Sequence, residues 1–184
     1  MIDNKFLYNF HPWIGLIGVV LGFGLGEGGR YILYRWKLHR KKEIINLELR
    51  IILHQLSQKI SIINQAVKNL EEKRLMPIYS VKFETTGYHS VINSLIPHLT
   101  AKERSCLYYI YEYLRVTDIV LDTFEEKFIH YGINKIVQDP YIVFINRLKE
   151  FSELCQRNKY IIRSYLEGNP IDVLELSVTI KRAE

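Results

Sequence analysis

Cysteine is scarce in this 184-residue chain: Cys106 and Cys155 are the only two, far apart and each inside an apolar helical pattern. No C-x-x-C spacing occurs, which excludes a disulfide framework or a cysteine zinc site and suits a reducing compartment for the region that holds them. Proline is limited to Pro12, Pro77, Pro97, Pro140 and Pro170. All five fall at boundaries between apolar periodic segments, so there is no proline-rich linker. Catalytic signatures are missing as well. There is no G-x-S-x-G, H-E-x-x-H, P-loop or kinase set, and the six histidines are scattered. Glu126 and His130 lie one helical turn apart, but no second Glu-x-x-His supports a di-metal centre. The expectation is a protein without enzymatic activity, bound metal or cofactor. At 48% hydrophobic and 24% charged residues the chain is not disordered, and its outstanding excess is 13 tyrosines.

Acidic residues are also missing from one region. Residues 1–42 carry Lys5, Arg30, Arg35, Lys37, Arg40, Lys41 and Lys42 against only Asp3 and Glu27, so the whole formal charge of +5 sits there. Residues 43–184 hold equal numbers of basic and acidic side chains. A nucleic-acid-binding domain carries its basic excess on the folded body, whereas this excess forms one short block.

What precedes that block is apolar and rich in glycine. PWIGLIGVVLGFGLG, residues 12–26, carries no charge, and six of the ten glycines fall between residues 18 and 30. GLGEGG matches the G-x-G-x-x-G pattern of dinucleotide-binding turns, which needs a strand before it and strand-helix alternation after it. Glu43 or Glu48 stands at the distance of a ribose-binding acid, yet both lie in a helical pattern, and no alternation follows.

A membrane span fits better. A helix from Trp13 to Trp36 rises roughly 35 Å at about 1.5 Å per residue, enough for a ~30 Å hydrocarbon core and its interfaces. Trp13 and Trp36 stand at its two ends, and Arg35, Lys37, Arg40, Lys41 and Lys42 mark the cytoplasmic side by the positive-inside rule. A signal peptide would begin with more positive charge than Lys5 and end in an A-x-A site. The expected layout is a short N-terminal segment 1–11 outside, a transmembrane helix 12–36 in the inner (cytoplasmic) membrane, a basic flank 37–42 and a cytoplasmic domain 43–184. Gly18, Gly22 and Gly26 recur every four residues as a G-x-x-x-G stripe, a helix-association face that predicts a homo-oligomer in contact with membrane lipid. Glu27 and Arg30 are the polar residues inside the span. Two roles are open for Glu27: an i, i+3 ion pair with a snorkelling Arg30, or the lining of a polar lumen among several copies.

From Glu43 onward the pattern is helical. Ile45, Leu49, Ile52, Leu56, Ile60, Ile63, Val67 and Leu70 make a stripe with a stutter after Leu56, which favours one face of an intramolecular bundle over a coiled coil. Tyr79, Val81 and Phe83 alternate with polar residues. A short helix is expected at His89–Ile96, and Thr100 with Glu103 forms a capping box ahead of Leu107, Tyr111, Leu114, Leu121 and Phe128. Asp139 and Pro140 begin another helix, with Tyr141, Phe144, Ile145, Leu148, Phe151, Cys155, Ile162 and Leu166 inward and Gly168 as its stop. Residues 174–180 alternate too and could form a strand beside the Val81 segment, or a short final helix begun at Pro170. The expected fold is therefore all-α, an N-terminal membrane helix and an up-and-down helical bundle, with a minor two-stranded β element as an option.

The YYIYEY cluster splits between helix faces, Tyr108 with Tyr111 and Tyr109 with Tyr113, so half of it is free to meet a partner. Tyr109 and Tyr113 with Lys102 and Arg104 are the candidate partner surface. The segment KFETTGYHSVINSLIPHLTAKERSCLYYIYEYLRVTDIVL, with the apolar helix and stalk before it, resembles a loose class of uncharacterised prokaryotic single-pass membrane proteins. The resemblance rests on a Thr-x-x-aromatic turn, here Thr85 and Tyr88, and on a helix with spaced Leu and Tyr, here Leu107, Tyr111 and Leu114. It implies a membrane helix with a cytoplasmic helical bundle and carries no activity. The leading expectation is a self-associating membrane scaffold, or the membrane arm of a stress or defence system, whose bundle binds a protein partner. The alternative is a membrane-tethered sensor that binds a nucleotide or nucleic acid through Tyr108–Tyr113.

Overall fold

The structure is a computed structural model that describes residues 11–74, 81–134 and 140–172, with the side chains of 11–14, 124, 127–134, 140 and 141 outside that description. Its fold is all-α. In order come α1 (His11–Glu71), α2 (Thr86–Leu95), a 3-10 turn (Ile96–His98), α3 (Ala101–Asn134) and α4 (Pro140–Leu166). No strand occurs among the described residues, and residues 81–85 have no regular structure. The minor β element is therefore not found, and its second segment, 174–180, lies outside the described residues. The chain divides into two units, residues 1–43 and 44–184.

In the first unit the described side chains of the apolar helix from Gly15 to Lys37 are all exposed. Leu16, Val19, Val20, Phe23 and Leu25 are all exposed, Leu25 to 76%. It is the one described helix long and apolar enough to cross a membrane.

The second unit has a core. Ile45, Leu49, Ile52, Leu56, Ile63, Val67 and Leu70 of α1 are buried, as are Leu107, Ile110, Leu114 and Leu121 of α3 and Leu148, Cys155, Ile161 and Ile162 of α4, and ion pairs link α1 to both, Lys59 to Asp118 of α3 and Glu71 to Lys149 of α4. The heptad positions Leu49, Leu56, Ile63 and Leu70 are thus consumed within one chain, as a bundle requires and a coiled coil with sister chains does not. Ile60 departs from the expected stripe and is only half-buried, while Lys59 takes the buried place. With Lys59 there, the buried positions step regularly from Leu56 to Ile63, and the stutter that Ile60 would impose is not found.

Local chemistry sets most helix ends. At the start of α3 the Thr100 N–H donates to Glu103 Oε2 at 2.7 Å and the Glu103 N–H to Thr100 Oγ1 at 3.2 Å, the reciprocal capping box. Gly168, at φ 81°, ends α4 in a Schellman turn: its N–H meets the Tyr165 carbonyl at 3.0 Å and the Asn169 N–H meets Ser164 at 2.9 Å. Lys73, at φ 56°, closes α1 in the same way, with the Lys73 N–H on Leu70 and the Arg74 N–H on Asn69. α2 begins three residues earlier than its sequence indicates, for a reason that lies on α1.

Both cysteines are buried, and burial pushes the Cys155 thiol up to about 12 and the Cys106 thiol above its ordinary range. A thiol raised this far is almost entirely un-ionised at neutral pH and cannot act as a nucleophile. The native protein should therefore stay unmodified by a thiol reagent at pH 8 and take up two equivalents only when denatured. Leu114→Ala, which empties a fully buried position, should lower unfolding free energy by about 2–5 kcal/mol in a denaturant titration followed by circular dichroism.

Candidate functional site

On α1, Glu48, Gln55 and Lys59 are spaced by seven and four residues, which at about 100° per residue puts them on one flank of the buried stripe. Each reaches the same stretch, residues 83–88. The Glu48 carboxylate, in a residue only 5% exposed, accepts hydrogen bonds from the N–H groups of Gly87 and Tyr88, the latter at 3.0 Å. It also accepts one from the Tyr111 hydroxyl of α3 at 2.6 Å. Thr85, the N-cap residue of α2, makes no side-chain cap, so a carboxylate from α1 satisfies the amides at the helix start instead. A negative charge at that end also suits the helix dipole. This distant cap explains why α2 starts at Thr86 rather than His89.

Gly87 is the residue that allows the approach. A Cβ there would stand 2.7 Å from Glu48 Oε2 and 3.1 Å from Ile44 Cγ2. Further along, Gln55 Oε1 accepts the Glu84 N–H at 3.3 Å. Lys59, 4% exposed at its side chain, donates to Asp118 Oδ1 at 3.0 Å and lies 4.4 Å from the Phe83 ring centroid. Asp118 uses its other oxygen to accept the Phe83 N–H at 2.9 Å. Residues 83–88 are thereby strapped across α1 and α3 by two buried charges, each with partners that offset its desolvation. Thr85 and Tyr88, the turn on which the resemblance rests, are the middle of this strap.

The strap forms one wall of an open groove of about 400 Å³, and α3 forms the other. Phe83, Tyr88, Tyr108 and Tyr111 line it with aromatic rings, and the exposed Ile119 supplies its aliphatic surface above the buried Leu114. Tyr88 stacks on Tyr111 with ring centroids 3.7 Å apart and planes 13° from parallel, and His89 meets the Tyr88 ring edge-on at 5.4 Å. Burial and the nearby Tyr108 phenol push the Tyr88 hydroxyl up; burial and the bond to Glu48 push Tyr111 well above the ordinary phenol range. Both stay neutral at any physiological pH. The charges at the rim come in pairs, Lys82 with Asp122 at 3.3 Å and Arg115 with Glu112. Such a surface offers aromatic area and exchangeable ion pairs, without the cation excess that a polyanion needs.

The residues singled out in the sequence fall in three places. Lys102, Tyr109 and Tyr113 share one face of α3, while Arg104 lies on the opposite face, so they do not form a single surface. Tyr109 and Tyr113 are half-buried and pack on each other at 6.0 Å, and burial raises the Tyr113 phenol. The exposed tyrosine of the cluster is Tyr108, at 67%, in the groove wall. In the first unit, Gly18, Gly22 and Gly26 have nothing within 4 Å of where a Cβ would stand. Glu27 and Arg30 form an exposed ion pair of 2.8 Å. Arg35 and Lys37 are exposed, Lys41 and Lys42 half-buried, and Arg40 lies 4.5 Å from the Trp36 ring centroid, over its face. The Trp13 side chain is outside the described residues. No group of three His, Cys, Asp or Glu side chains that could hold a metal ion occurs among the described residues.

Glu48 and Lys59 were not visible as site residues beforehand. A charged residue on the flank of an apolar stripe is the only signal, and most such residues are solvated.

Two substitutions probe the strap. Glu48→Ala leaves three buried or half-buried donors without their acceptor and should cost about 3 kcal/mol or more in chemical unfolding, with Glu48→Gln milder. Gly87→Ala should cost about 1–3 kcal/mol alone and add less than that to Glu48→Ala, since the crowded carboxylate is then gone. Lys59→Met, which strands Asp118, should cost about 3–5 kcal/mol, and the double change Lys59→Met with Asp118→Leu should cost less than the sum of the two singles.

Comparison with models of protein families, with curated proteins and with solved structures gives no match to this chain, so its strap and groove must be read on their own chemistry.

Proposed function

We propose that this protein is a self-associating membrane scaffold, without catalysis of its own, whose bundle captures a segment of a partner protein in the groove between residues 82–89 and α3. The observation that carries the anchoring half is that the apolar helix buries nothing in its own chain. Its large side chains are exposed, and all seven glycines from Gly15 to Gly29 face open space. Glycine lowers helix stability by about 1 kcal/mol per residue relative to alanine in water. No close contact within the chain requires these glycines, and contact with a second helix in a bilayer does. The Glu27–Arg30 pair supports the same reading, because an ion pair facing lipid is costly and one at a helix-helix contact is shielded.

The partner half rests on the groove. Aromatic area held rigid by the Tyr88–Tyr111 stack, an exposed Tyr108 and paired rim charges is the composition of a protein-binding surface. A nucleotide or nucleic acid is less well served there. The rim cations Lys82 and Arg115 are engaged by Asp122 and Glu112, and the domain as a whole has no net charge.

In cell fractionation the protein should follow the inner membrane and resist alkaline carbonate. Crosslinking in those membranes should give oligomers, and Gly22→Ile should reduce them about tenfold. Recovery of monomer alone, unchanged by that substitution, argues against self-association. For the groove, a photo-crosslinker at position 108 should capture a discrete partner band that the same probe at Lys102 does not, and Arg115→Glu should abolish it. Binding of an oligonucleotide at low salt, competed by Tyr108→Ala, would favour the sensor reading instead.

A further inference from the structure

Five cations, Arg35, Lys37, Arg40, Lys41 and Lys42, occupy eight consecutive residues of α1, and no acid occurs from Gly28 to Lys42. A bare positive-inside signal needs the charges but not any arrangement of them. Here they are arranged. At about 100° per residue, Lys37 and Lys41 lie on one side of the helix, and Arg35 and Lys42 lie within about 20° of each other on the other. Arg40 stands between the two sides. The widest gap in this circle, about 140° between Arg35 and Arg40, is occupied by Trp36, which holds the Arg40 guanidinium over its ring at 4.5 Å, and a second of about 100° between Lys41 and Lys42 is occupied by Leu38. The ring extends about 10 Å along the helix axis, which long side chains reach from the edge of the hydrocarbon through the headgroup layer.

A helix that met anionic groups on one side only, as against nucleic acid or an acidic protein face, would gather its cations there. Cations on opposite sides of the helix fit a medium that surrounds it. We propose that residues 35–42 form a collar that selects anionic phospholipid headgroups from the surrounding bilayer. This rests on the reading of α1 as a membrane-spanning helix. Arg40 and Arg35 bring planar forks suited to phosphate oxygens, and stacking on Trp36 restrains Arg40 before any lipid arrives. The lysines add point charges whose contribution to an anionic surface accumulates with number. Trp36 is exposed to 52% and thus open to the same lipids.

The test uses the full chain with Trp13→Phe, so that Trp36 is the only tryptophan, reconstituted into vesicles of mixed phosphatidylcholine and phosphatidylglycerol. Either lipid is supplied with brominated chains, and quenching of Trp36 is compared. Brominated phosphatidylglycerol should quench with an apparent preference of about threefold or more at low salt, falling toward one when all five cations are replaced by Gln. The preference should also shrink at about 0.5 M salt. Arg40→Gln alone should remove more of it than Lys41→Gln. Equal quenching by the two lipids, or a preference that survives the fivefold replacement, overturns the collar while leaving the membrane span intact. Absence of quenching by either lipid overturns the span, and the collar with it.

Discussion

A single buried carboxylate organises the second unit. Glu48 leaves water only because three donors meet it, two amides at the start of α2 and the hydroxyl of Tyr111 on α3. Remove any of them and the remaining charge is more costly to bury. The consequences run outward in order. The carboxylate fixes where α2 begins, and the start of α2 sets Tyr88 on Tyr111. That stack in turn forms the floor of the groove from which Tyr108 projects. The Lys59–Asp118 pair repeats the principle at the other end of the strap, where it holds Phe83 through its backbone and its ring.

The two units dispose of their apolar side chains by opposite rules. Among the described residues of 44–184 a core of apolar side chains from all three long helices is hidden, and the buried charges Glu48 and Lys59 are paired or hydrogen-bonded. In the apolar helix of the first unit no described side chain from Gly15 to Lys37 is hidden. Large side chains lie open next to glycines that no contact among the described residues requires, the pattern on which the proposed membrane anchor and helix pairing rest.

Features controlled by neighbouring residues were legible in the sequence. The Thr100–Glu103 box, the Gly168 stop, the apolar stripes of three long helices and the absence of strand-helix alternation each follow from residues a few positions apart. What escaped was controlled over distance. Lys73 ends α1 in a conformation usually left to glycine, and nothing in its identity announces that. The α2 start depends on a residue 39 positions earlier. Lys59 replaced Ile60 in the core because a salt partner on α3 and an aromatic ring on the strap awaited it. The cluster alone points to Tyr109 and Tyr113 as a surface, whereas the bundle leaves open Tyr108, which has the other helical phase.

The shared carboxylate also bears on the order in which this protein can assemble. α2 is a helix of 10 residues without a side-chain cap of its own, too short to persist alone in water. Its stabilising anion is made early in synthesis, whereas the tyrosine hydroxyl that completes the anion's shell is added 63 residues after it. Until α3 has emerged, Glu48 is better left hydrated, and α2 has no reason to form. The strap is thus a late event by construction: the long helices must find one another first, and the groove comes into existence only on a bundle that is already correct.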